Sequence, residues 1–114
     1  MGARTNFELK DEKGSVWLYS HWGGDSKVRD FAYALQKAEP RWGDVPYAIR
    51  IVVSQLIGNE WTSETGFGLT SYQAGEESYD TLSADFTNNT VTYHSIVFDF
   101  EHFVEEYANS LTNV

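Results

Sequence analysis

Residues 4–21 read RTNFELKDEKGSVWLYSH, and a period of two runs through both halves of that stretch. Phe7 and Leu9 alternate with polar neighbours, and Val16 and Leu18 alternate with Trp17 and Tyr19 on the other parity. Alternation of this kind marks strands with one buried face. Asp11 to Gly14 has the composition of a turn. The spacing therefore predicts a hairpin of strands over 4–10 and 15–21. His21-Trp22-Gly23-Gly24 ends it and opens a loop.

Beyond that loop the period changes. Val28, Phe31, Ala32 and Leu35 fall at i, i+3, i+4 and i+7, which predicts a helix over about 27–38, capped by Asp25 or Ser26 and stopped by Pro40. Residues 41–46 are a short loop, with Asp44 as N-cap of a second helix and Pro46 in its first turn. That helix runs to about Ile57 and ends at Gly58. Its apolar stripe is Ile49, Val52, Val53 and Leu56, while Tyr47, Arg50 and Ser54 share another face. A strand is expected through Phe67–Tyr72. Residues 78–87 and 90–98 predict a hairpin about Asn88-Asn89, with Phe86 facing Val91, Ala84 facing Tyr93 and Ser83 facing His94. Phe100, Phe103, Val104, Tyr107, Ala108 and Leu111 are spaced for a helix over about 100–111, capped by Asp99. The sum is an α+β domain: an antiparallel sheet of about five strands with two to three helices packed on one face.

A chain of 114 residues is one domain, 1–114. With 41% apolar and 22% charged residues it reads as globular. No apolar run approaches a membrane span, and MGARTNFELK lacks an apolar signal segment. Gly2 invites a myristoylation reading, but Asn6 stands where Ser or Thr is wanted. There are no cysteines, which removes disulfides, thiolate metal sites and thiol nucleophiles together and makes a reducing cytosol the expected setting. The sequon at Asn88-Asn89-Thr90 then has no glycosylation to receive.

Charge is divided unevenly. All eight Lys and Arg lie at or before Arg50, so residues 1–50 carry a formal +1 and residues 51–114 a formal −10, for a net −9. No basic stripe exists to follow a long nucleic acid. A small anion would have to find its cations in the first fifty residues. The acidic half reads first as a solubilising surface. Aromatic residues reach 16%, with four Trp, seven Tyr and seven Phe, more than a core of this size requires. The excess points to stacking surfaces or a subunit interface.

Two segments combine rings with polar groups. Tyr19, His21 and Trp22 sit where a strand runs into a glycine-rich loop; Trp can stack on a base and His can hydrogen-bond a base or a phosphate. The structural reading is a core Trp beside a glycine turn. Arg41, Trp42, Asp44, Tyr47 and Arg50 form the second group, with guanidinium groups suited to phosphate; the structural reading pairs Arg41 and Arg50 with Asp44 and Glu39. Gly66-Phe67-Gly68 offers backbone amides to an anion, although a plain turn or bulge explains it as well. It belongs to no phosphate-binding loop or dinucleotide fingerprint. His21, His94 and His102 show no metal-ligand spacing, and no nucleophile motif occurs. The acidic residues Asp99, Glu101, Glu105 and Glu106 suit the start of the last helix. Neither a catalytic residue nor a cofactor is assigned.

The pattern Ala3-Arg4-x-Asn6-Phe7, Leu18-Tyr19-Ser20-His21-Trp22-Gly23-Gly24, Arg41-Trp42-x-Asp44-x-x-Tyr47-Ala48-x-Arg50-Ile51 and Thr65-Gly66-Phe67-Gly68 resembles a widespread family of small bacteriophage proteins, the anti-CBASS cyclic-nucleotide sponges. The similar segments span residues 3 to about 68. The resemblance implies a phage protein working in the host cytosol that sequesters cyclic nucleotide immune signals without cleaving them and assembles as a tetramer. On chemistry alone, Trp22, Trp42 and Tyr47 would stack on bases, Arg4, Arg41 and Arg50 would hold phosphate, and His21 and Asp44 would read base edges; Tyr19 and Phe67 complete the candidate set. Stacking worth about 1–3 kcal/mol per base and charged hydrogen bonds worth about 1.5–3 kcal/mol each reach sub-micromolar affinity after association costs. The expected partners are a cyclic dinucleotide or related signal and further copies of the chain, not long nucleic acid or membrane.

Three other classes compete. A virion or structural protein would show no shift in melting with any small ligand. An acidic inhibitor that mimics nucleic acid would bind a basic host protein in a salt-sensitive way and ignore substitution at Trp22 or Arg50. A small cyclic-nucleotide phosphodiesterase would turn its ligand over to linear product.

Overall fold

The computed structural model describes residues 4–21, 26–73 and 80–108. Its order is β1 (Thr5–Asp11), β2 (Gly14–Ser20), α1 (Lys27–Lys37), α2 (Val45–Ile57), β3 (Phe67–Thr70), β4 (Asp80–Asp85), β5 (Thr90–Tyr93), β6 (Ile96–Asp99) and α3 (Phe100–Phe103). The last helix widens into a π turn over Val104–Ala108. A short 3-10 turn over Glu39–Arg41 carries Pro40 between α1 and α2.

The fold is α+β, as the alternation and helical spacing imply. The sheet has six strands in the order β3-β2-β1-β4-β5-β6. Every neighbouring pair is antiparallel except β1 and β4, which run parallel from Thr5 opposite Asp80 to Lys10 opposite Asp85. A parallel pair needs a long crossover, and here the crossover contains β2, both long helices and β3.

The sixth strand comes from a break in the segment expected to run over 90–98. His94 and Ser95 both take positive φ, 51° and 69°, the geometry of a two-residue primed hairpin turn. His-Ser lacks the Asn-Gly signature of that turn, so the pattern gave no sign of it. The preceding hairpin is also shifted. Ala84 faces Val91 and Leu82 faces Tyr93, two residues away from the expected partners, because the loop holds four residues rather than two. The Asp85 carboxylate builds that loop by accepting the backbone N–H of Thr87 at 2.9 Å and the Asn88 side-chain amide at 3.0 Å. A shift of two preserves the parity of side chains, so Ala84 and Val91 still point inward.

One face of the sheet is the core. Phe7, Leu9, Leu18, Leu82, Ala84 and Val91 are buried there against Phe31, Ala32 and Leu35 of α1. Phe7 stacks on Phe31 at 5.3 Å between centroids, and Phe31 meets Phe103 edge-on at 6.2 Å. The buried stripe of α2 is Ala48, Val52, Val53 and Ile57; Ile49 and Leu56, expected in the stripe, are half-buried. Gly58 ends that helix with φ +61°, a conformation suited to glycine. Asp44 occupies the N-cap position of α2 and Asp99 that of α3, but neither side chain makes a capping hydrogen bond.

The opposite face has no described helix across it. Arg4, Asn6, Glu8 and Lys10 project there from β1, Trp17 and Tyr19 from β2, Thr81 and Ser83 from β4, and Thr92 and Val97 from β5 and β6, by the parity of the ladders.

Candidate functional site

Nine of the ten candidate residues are described, and they fall into two groups. The first group surrounds the start of β1. In the antiparallel ladder Thr5 lies opposite Ser20, so Arg4 and His21 occupy the next register position. His21 prolongs the β2–β3 ladder by donating its backbone N–H to Gly66 at 2.8 Å. The Tyr19 hydroxyl and His21 Nδ1 are 3.2 Å apart. Tyr19 faces Gly68 across β3, and the space over Gly68 is open for at least 4 Å. Arg4, Tyr19 and His21 therefore share one edge of the outer face. Trp22 lies outside the described residues. Phe67 is close in sequence but has the other parity: it pairs with the buried Ser20 and packs against the core.

Trp17 and Asn6 belong to the same outer face and were not in the candidate set. Trp17 is half-buried two residues before Tyr19, so β2 presents two rings about 6.6–6.8 Å apart along the strand. Their parity opposite Val16 and Leu18 was legible; the absence of any described helix across that face was not. Next to Trp17, the Glu8 carboxylate accepts the hydroxyls of Ser15 and Ser83, both at 2.8 Å. Both of its oxygens are thereby used to tie β1 to its two neighbours.

The helix side of the same end is closed by a polar cluster that the motifs did not mark. Lys27, at the start of α1, bridges Asp80 at 2.9 Å. Asp80 also meets His94 Nε2 at 3.4 Å, and His94 stacks on Tyr93 at 3.9 Å. The Lys27 hydrogen bond holds the Asp80 carboxyl below its usual range against the opposing effect of burial, with His94 adding to it. Burial works against the charge on Lys27, but the hydrogen bond and charge of Asp80 outweigh it and raise its pKa. This cluster clamps the helix layer to the sheet.

The second group lies on the connection into α2 and on α2 itself, with Trp42 beside the Asn88–Asn89 loop that follows the Lys10 end of β1, not the Thr5 end. Arg41 sits over the Tyr47 ring at 5.0 Å and 3.7 Å from the Asp44 carboxylate. Tyr47 and Arg50 are exposed on α2. Trp42 is half-buried: its indole N–H donates to the Leu35 carbonyl at 3.0 Å and its ring packs on Phe100 at 5.0 Å. It walls a hollow of about 230 Å³ shared with Asn88, Asn89, Asp99, Phe100 and Glu101. Among the described residues of one chain, then, no contact joins the Arg4–Tyr19–His21 group to the Arg41–Tyr47–Arg50 group. A three-residue spacing such as Tyr47 to Arg50 reveals a shared helix face, but not which end of the sheet the helix starts from.

Among the described residues no group of three or more His, Asp or Glu is placed to hold a metal ion, and no helix is long and apolar enough to cross a membrane. No family model, curated protein or solved structure matches the chain.

Proposed function

We propose that the outer sheet face around Arg4, Tyr19 and His21 binds a cyclic oligonucleotide signal and holds it unaltered, the activity implied by the resemblance to the anti-CBASS sponges. The supporting observation is the placement, on the one sheet face that no described helix crosses, of a guanidinium, an imidazole and two strand-mounted rings beside a glycine that leaves room for a ligand. Strand-borne aromatics are stacking platforms for bases, and Arg with His supplies charge-assisted hydrogen bonds to phosphate. Binding of this kind requires no general base. In this reading the protein is a phage factor that works in the host cytosol as a homo-oligomer, and the Arg41–Tyr47–Arg50 group serves a second copy rather than the same pocket.

The test is a thermal-shift and calorimetric screen against cyclic di- and trinucleotides. Ligand at 100 times its dissociation constant stabilises by about 2.7 kcal/mol. Bound nucleotide is then released by denaturation and chromatographed. Intact nucleotide supports sequestration, and linear product replaces it with a phosphodiesterase. No binding to any nucleotide, with salt-sensitive capture of a basic protein, replaces it with the acidic-mimic reading.

A further inference from the structure

Asn6 is fully buried, yet neither its side-chain oxygen nor its nitrogen has a hydrogen-bond partner. No other described residue holds buried side-chain polar atoms in that condition. It lies on the central strand β1 with its side chain on the outer face, between Tyr19 of β2 and Thr81 of β4 in register. Two residues along the same face, Glu8 has both carboxylate oxygens occupied by serines. The strand thus satisfies one polar side chain completely and leaves its neighbour with none of its capacity used. An unpaired buried carboxamide costs stability, and asparagine is also a poor strand former. A leucine or valine there would avoid both penalties.

We infer that Asn6 is a base-reading residue, its carboxamide kept unpaired for the edge of a nucleobase; the inference rests on the reading of this face as a nucleotide site. A carboxamide offers an acceptor and a donor side by side in one plane. It pairs bidentately with base edges that present an adjacent donor and acceptor, as adenine does through its amino group and N7. Arg4 and Tyr19 flank it on the same face, so one ligand can place phosphate on the guanidinium, a ring on Tyr19 and a base edge on Asn6. Because Asn6 is buried in the ligand-free protein, binding requires the groups over it to turn aside.

The experiment uses the full chain with cyclic di-AMP, cyclic di-GMP and cyclic GMP–AMP as probes. Calorimetry on Asn6→Leu, which keeps the branched shape without polar atoms, is expected to show at least a tenfold loss of affinity for the nucleotide bound best by the natural protein. The melting temperature of the free variant is expected to be unchanged or higher. In the natural protein, the Asn6 side-chain amide resonances are expected to shift on saturation with that nucleotide, a readout that needs no variant to fold. Binding by Asn6→Leu within twofold of the natural protein, or an unmoved Asn6 amide in the saturated protein, overturns the assignment while leaving the nucleotide site standing. If the natural protein binds none of the three and no cyclic trinucleotide either, the nucleotide reading falls and the role of Asn6 falls with it.

Discussion

Trp42 donates its indole N–H to the carbonyl oxygen of Leu35 at 3.0 Å, which fixes the connection between α1 and α2 to the last turn of α1. The same ring rests on Phe100, so one side chain ties that connection to two helices. Trp42→Ala is expected to destabilise the fold by about 2–3 kcal/mol, at or below the lower end for deleting a fully buried ring, since Trp42 is half-buried. Trp42→Phe should cost about 1 kcal/mol through the lost hydrogen bond. Urea unfolding measures both. Nucleotide affinity of the folded Trp42→Phe protein should match that of the natural chain; a large loss there would return Trp42 to the binding site.

Substitution on the outer face should act the other way round. Tyr19→Ala removes a half-buried ring that the core does not use, and should lower nucleotide affinity by about 1–3 kcal/mol if it stacks on a base. Arg4→Ala should cost a comparable 1.5–3 kcal/mol through a lost charged hydrogen bond. Titration calorimetry of both variants, paired with melting curves, separates lost binding from lost folding.

The Lys27–Asp80 bridge makes stability depend on pH at both extremes. Asp80 has a lowered pKa in the folded chain, so its contribution is fully present above the unfolded carboxyl value near about 3.9 and is lost as pH falls through the lowered folded value. Lys27 has a raised pKa, so its contribution is present below the unfolded value near about 10.4 and is lost as pH rises through the raised folded value. Asp80 is 39% exposed, which screens the pair. Asp80→Asn is therefore expected to cost about 1 kcal/mol at neutral pH, and to flatten the acid limb of a stability–pH curve followed by urea unfolding.

The edge strand β6 exposes Ile96 (57%) and Val97 (63%) side by side, with one row of backbone groups unpaired by any described strand. Exposed apolar edges invite pairing with another chain. Ile96→Lys with Val97→Lys should leave the monomer's melting temperature nearly unchanged, since neither side chain is buried. Light scattering should report a smaller particle if this edge carries the proposed oligomer.

The inward residues Phe7, Leu9, Val16, Leu18, Phe31 and Leu35 were legible because a buried face imposes its period on the sequence. The turn at His94-Ser95 was not, since its residues carry no glycine and the backbone adopts positive φ without advertising it. The four-residue loop hid in the same way: Asp85 shapes it through hydrogen bonds that spacing does not encode. For the candidate site, motif reading found Tyr19 and His21 but grouped them with Arg41, Trp42 and Arg50. Residues adjacent in a motif list need not be adjacent in space, and the parallel β1–β4 pairing that fixes the two ends of the sheet is invisible to local periodicity. Asn6 stood within the quoted pattern, but only its burial without a partner gives it chemical meaning.

The hydrogen bond from Ser83 to Glu8 joins residues 75 positions apart. During synthesis, β1 emerges early and acquires β2 at once, yet its other side stays bare until β4 has left the ribosome. Contacts of such long sequence separation slow folding. The nascent chain therefore carries an unfinished central strand until residues 80–85 are made, and a truncation before residue 80 would expose that strand permanently to aggregation.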